Sequence, residues 1–141
     1  MACPYFEPQR VASDVKHPLA RLPLLEEYDG ICRAATEPFS PEASHRFQYC
    51  NRGNVSGACS HFPANCAATS FRYHVAASDK LHLEILMVEE KQHWPHSWRR
   101  INFQIATGQL NPAEPNPVIS AQLLAFCSSY LKRFAPLNEP G

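Results

Sequence analysis

Four cysteines in the first half of the chain sit beside residues that bend a backbone sharply. They are Cys3 in Met-Ala-Cys-Pro-Tyr-Phe, Cys32 in Tyr-Asp-Gly-Ile-Cys-Arg-Ala, and Cys50 and Cys59 in Cys-Asn-Arg-Gly-Asn-Val-Ser-Gly-Ala-Cys-Ser-His-Phe-Pro. Pro4, Gly30, Gly53, Gly57 and Pro63 flank them. Several thiolates converge on one point only when their loops turn tightly, and glycine and proline supply such turns. A fold that gathers these four sulfurs is the strongest constraint in the sequence.

The 141 residues match one domain, and thirteen prolines argue for long ordered loops. The expected organisation is a single domain, 1–141. Residues 1–69 form a cysteine-rich metal-binding half, and 70–136 a strand meander with a C-terminal helix. In the first half a short helix is expected from Pro41 to about Tyr49, with Ser40 as N-cap, delivering Cys50 at its end. A further helical turn is expected near Pro23–Tyr28.

Beyond residue 70 the pattern changes to alternation. Phe71, Tyr73 and Val75 read as the buried side of one strand. Ser78-Asp79 marks a turn, and Leu81, Leu83, Ile85 and Met87 define a second strand. Ile101, Phe103 and Ile105 define a third, from about Arg99 to Ala106, which Thr107-Gly108 ends. Asn116 and Pro117 open a helix carrying Ile119, Leu123, Cys127, Tyr130, Leu131 and Phe134 on one stripe, and Pro136 stops it. The expected fold is therefore α+β: a loop-rich half with short helices, a three-stranded antiparallel meander, and a C-terminal helix on the sheet. The metal site falls at the seam between the halves.

Thiolates are soft ligands, suited to zinc or to iron–sulfur clusters. Structural zinc sites draw ligands from close C-x₂₋₄-C pairs. None of Cys3, Cys32, Cys50 and Cys59 forms such a pair. Ligands arriving singly from separate loops suit the larger [4Fe–4S] cubane, and Cys-Pro also occurs beside cluster ligands in bacterial ferredoxins. Tyr5, Phe6, Phe62 and Pro63 would form the apolar shell that tunes such a site. Zinc is the alternative, and Cys66 and His61 are possible alternate ligands. A thiol redox switch using Cys50 or Cys59, with Arg52 and His61 nearby, comes third. Cys127 shares its helical face with leucines and reads as core.

The formal net charge is zero, and Arg99-Arg100 and Lys132-Arg133 are isolated basic pairs. No basic stripe tracks a nucleic acid, and no apolar run reaches the ~20 residues of a membrane span. The start lacks the basic and apolar regions of a secretory signal, so a cytoplasmic location is expected, where disulfides rarely persist. Trp94 and Trp98, in a loop between the second and third strands, are the candidate contact for a protein partner. Glu26-Glu27 and Glu89-Glu90 read as surface charges. No nucleophile elbow, phosphate loop or H-E-x-x-H is present, so no hydrolase or transferase is indicated.

The run Cys-Pro-Tyr-Phe, then Gly-x-Cys, then Cys-Asn-x-Gly-x-x-x-Gly-x-Cys-x-x-Phe-Pro resembles a group of small, uncharacterised bacterial cysteine-rich proteins. The resemblance extends through the strands of 71–106 and the C-terminal helix. It implies that Cys3, Cys32, Cys50 and Cys59 are the recurring cysteines of that group, and it implies no activity.

Overall fold

The computed structural model describes residues 3–16, 22–34, 37–52, 59, 70–91 and 94–138. The fold is mostly β: the described residues form six strands in two antiparallel sheets and two helices. This corrects the expected α+β arrangement in two places. The sheet of the second half has four strands, where three were expected. The N-terminal half, expected to be loop with short helices, forms a two-stranded sheet of its own.

That smaller sheet pairs β1 (Phe6–Val11) with β2 (Tyr28–Cys32), Phe6 opposite Cys32 and Val11 opposite Tyr28. A bulge between Pro8 and Arg10 breaks the register. It falls where Pro8 has no N–H to give to a ladder. Gly30 lies opposite Pro8, inside the strand. A Cβ at this position would lie 2.9 Å from Pro8 Cα and closer still to the Glu7 carbonyl oxygen. Gly30 is thus needed for the close approach of two backbones, not for a turn.

The larger sheet is a meander in the order β3 (Ser70–Ser78), β4 (His82–Lys91), β5 (Trp94–Gln104) and β6 (Gln109–Asn111). Asp79 closes the β3–β4 turn: its Oδ1 accepts the N–H groups of Leu81 and His82, each at 2.7 Å. Gly108, at φ +70°, makes the β5–β6 turn, and its N–H donates to the Gln104 carbonyl at 2.8 Å. That backbone region strains residues other than glycine. Leu83, Ile85, Met87, Ile101 and Phe103 point from this sheet into the core.

β5 begins at Trp94, five residues earlier than the expected third strand. Trp94 and Trp98 therefore stand on a strand and not in a loop, opposite Lys91 and Val88. Pro95 is compatible with this because β6 pairs only with Asn102–Gln104, leaving the start of β5 at the sheet edge. Both tryptophans are exposed, at 77% and 65%.

α1 (Ala43–His45) is a single turn that continues as a π-helical segment, Arg46–Asn51. Near Pro23–Tyr28 the chain makes a single hydrogen-bonded turn and no helix, the Leu25 N–H donating to the Leu22 carbonyl at 2.9 Å, and β2 begins at Tyr28. α2 (Pro117–Asn138) packs on the larger sheet, with the Tyr73 and Phe126 rings 5.7 Å apart, and also runs along β1. Asn116 caps it, its Oδ1 accepting the Val118 N–H at 2.9 Å. Cys3, Phe6, Leu24, Tyr28 and Cys50 from the first half join Ile119, Leu123, Phe126 and the sheet residues in one hydrophobic cluster.

Two acidic pairs are less exposed than their sequence setting suggests. Glu27 is buried against Arg46, and Glu90 is buried beside Ser70 and Arg72. Each carboxylate has a cation within reach, which is the condition under which burial is tolerated. None of the described helices is long and apolar enough to cross a membrane.

Candidate metal centre

Cys3 starts a tight turn. The Phe6 N–H donates to the Cys3 carbonyl at 3.1 Å, with Pro4 in the second position, where its fixed φ suits a turn. The Cys3 N–H in turn donates to the Cys50 carbonyl at 3.2 Å, so the first cysteine is tied directly to the third.

Cys32 ends β2 opposite Phe6, at the point where the Cys3 turn feeds β1. On its other side it bridges Phe39, its N–H donating to the Phe39 carbonyl at 2.8 Å. The Arg33 N–H donates to the Tyr5 carbonyl at 2.9 Å, clamping the next residue onto the same turn.

Cys50 rides on the π-helical segment, and the neighbouring Asn51 fixes that segment to β2. Asn51 Oδ1 accepts the Tyr28 N–H at 2.8 Å, and its Nδ2 donates to the Tyr28 carbonyl at 2.9 Å. Nδ2 also donates to the Arg46 carbonyl at 3.1 Å. The buried side chain thereby satisfies backbone groups of both elements. Arg46 anchors the other end: its Nε and Nη2 donate to Glu27 Oε2 at 2.9 and 2.6 Å, and Nη2 also reaches Asp14 at 2.8 Å. π-helical turns often mark functional sites, where the extra residue re-aims a side chain.

Cys59 is half-buried, and its Sγ lies 3.4 Å from His45 Nε2. His45 is the site residue that sequence reasoning missed. Fourteen positions separate it from Cys59, and no spacing rule joins a one-turn helix to a distant loop. His61 and Cys66, the possible alternate ligands, lie outside the described residues, as do Phe62 and Pro63.

The electrostatics show which thiols share a neighbourhood. Burial pushes the Cys3 thiol up to about 12; charge on Cys32 and Cys59 adds to this, while the Tyr5 and Phe6 N–H groups oppose it. Burial also pushes Cys50 well up, and charge on Cys3, Cys32 and Cys59 adds again, with Arg46 opposing. Cys127 is raised to about 12 by burial alone, with no other thiol acting on it. Cys32 and Cys59 therefore act on both Cys3 and Cys50, whereas Cys127 sits apart in the α2 core.

None of the five described cysteines forms a disulfide. Among the described residues, no three side chains of His, Cys, Asp or Glu close round a point as the ligands of a single ion do. No protein-family model, curated protein or solved structure matches this chain.

Proposed function

We propose that this protein holds a [4Fe–4S] cluster through Cys3, Cys32, Cys50 and Cys59, in a redox, sensing or structural role. The observation that carries the reading is backbone geometry: the Cys3 N–H donates to the Cys50 carbonyl at 3.2 Å, and Cys32 pairs with Phe6 where the Cys3 turn enters β1. Charge on Cys32 and Cys59 acts on both Cys3 and Cys50, which agrees with that placement. Thiolates around a single zinc lie ~3.5–4 Å apart, since each bond is about 2.3 Å. Thiolates on a cubane bind different irons and stand roughly 6–7 Å apart. The dispersed spacing, with no C-x₂₋₄-C pair among the four, favours the cluster over zinc.

The surroundings agree with such a role. Tyr5 and Phe6 N–H groups act on the Cys3 sulfur, as hydrogen-bond donors to ligand sulfurs do when they tune a cluster. Phe6 is buried beside Cys3 and limits water. The cytoplasmic setting, and kinship with the cysteine-rich group that shares the spacing, belong to the same proposal.

The thiol-switch alternative gains little from Cys50, whose thiol is stabilised in its neutral form by burial. The zinc-stabilised interaction module keeps one supporting observation: Trp94 and Trp98 are exposed on β5, where they are free of the domain's own core. Partner binding that survives Trp98→Ala would remove that surface.

The deciding experiment is anaerobic purification followed by iron, sulfide and zinc analysis and a visible spectrum. About four irons and four sulfides per chain, with absorbance near 400 nm, are expected for a cubane. Cys32→Ser and Cys50→Ser should each lose iron, while Cys127→Ser should retain it. A colourless, iron-free protein, or one carrying stoichiometric zinc, would overturn the reading.

A further inference from the structure

We infer that His45 donates a hydrogen bond to the Cys59 sulfur and thereby raises the reduction potential of the cluster. This rests on the cluster reading above and assigns a positioning and tuning residue to that site.

Cys59 differs from its three companions. Cys3, Cys32 and Cys50 are buried, while Cys59 is half-exposed. It is the sulfur least shielded by protein, and therefore the one at which a single added donor changes the surroundings most. His45 Nε2 is placed 3.4 Å from it. A ligating thiolate only accepts hydrogen bonds, so an imidazole placed there presents Nε2–H to it.

The ring has a second contact besides the sulfur. It packs on Tyr49, one turn along, with centroids 4.7 Å apart and planes at 60°. The backbone under it is continuous with the π-helical segment that carries Cys50. One element thus supplies a ligand and the hydrogen-bond donor to another ligand.

A hydrogen bond to a ligand sulfur withdraws electron density and stabilises the reduced, more negative cluster. Its removal lowers the potential. His45→Phe keeps a ring against Tyr49 and has no donor. His45→Gln places an N–H at a similar reach without the ring.

The test is an anaerobic redox titration of wild type, H45F and H45Q, each reconstituted with ferrous iron and sulfide and matched for iron content. Expected are a lower midpoint for H45F and a midpoint near wild type for H45Q. A loaded H45F with an unshifted potential would refute the tuning role while leaving the cluster reading intact. So would an H45Q shifted as far as H45F, since the ring and not the donor would then matter. An H45F that cannot hold iron, beside an H45Q that can, would make His45 a structural requirement and also overturn the inference. Failure of wild type to assemble any cluster would bring down the proposed function and this inference together.

Discussion

Gly30 shows how much a single atom can decide near this site. Its missing Cβ lets β1 and β2 pair across the Pro8 bulge, two residues before Cys32. The backbone is what a side chain would strike, and backbone cannot swing aside as a flexible side chain can. Gly30→Ala should therefore destabilise the protein by about 1–3 kcal/mol, the range of forced overpacking. Urea denaturation reads this as a lower midpoint at unchanged slope. An alanine variant as stable as wild type would show that the strands can separate without cost. Sequence reading noticed Gly30 but gave it to a turn. A glycine beside a cysteine signals special backbone geometry without saying which kind, because the neighbour it must clear, Glu7, is remote in sequence.

At the scale of elements, the short helix is held by polar anchors more than by its own length. α1 is one turn and the π-helical segment six residues, far below the ~12–15 residues at which an isolated helix persists. Asn51 and Arg46 supply what propensity does not. Asn51→Ala would leave the Tyr28 N–H and carbonyl without their partner in a buried setting. The expected loss is on the order of 3 kcal/mol, since each stranded group costs about 1–3 kcal/mol. The same variant should bind iron less well, because Cys50 is the adjacent residue. A thermal melt and an iron assay on one preparation check both effects.

Elements differ in how openly the chain announces them. The alternation of Phe71, Tyr73 and Val75 with polar residues reflects a sheet buried on one face, and β3 and β4 lie where it points. The Asn116-Pro117 start of α2 is a local signal with a local cause. β1 and β2 carry five or six residues each, interrupted by Pro8 and Gly30, so their pairing depends on contacts the pattern cannot express. β6, at three residues, is below any periodicity. The early start of β5 was hidden by Pro95, which reads as a loop unless the strand is known to lie at an edge. The tight turn at Cys3-Pro4 was legible in the sequence; the anchors Asn51, Arg46 and His45 were not.

The whole molecule ties the cysteine corner to its core through Gln122. This fully buried side chain donates from Nε2 to the Cys3 carbonyl at 2.6 Å and to the Phe6 carbonyl at 2.8 Å. Its Oε1 accepts the Tyr73 hydroxyl at 2.6 Å. Helix, larger sheet and cysteine turn therefore meet at one amide. The thiols of this packed corner favour the folded state only while protonated. With folded values raised above the unfolded one, the stability from Cys3 and Cys50 is whole below the ordinary thiol pKa. It drains away as pH climbs toward the folded values, about 12 for Cys3. Metal-free protein should accordingly weaken steadily in alkali. A loaded site, with its thiolates bound, should weaken less, because binding to the folded state alone adds stability. Alkylation by iodoacetamide under native conditions offers a second view of the same chemistry. In metal-free protein the half-exposed Cys59 should react first, and Cys3, Cys50 and Cys127 slowly, with rates still rising above pH 10. Mass-mapped labelling across pH tests the order. Rapid modification of Cys3 or Cys50 at neutral pH would mean that the corner opens in solution, and that burial does not hold those thiols in their neutral form.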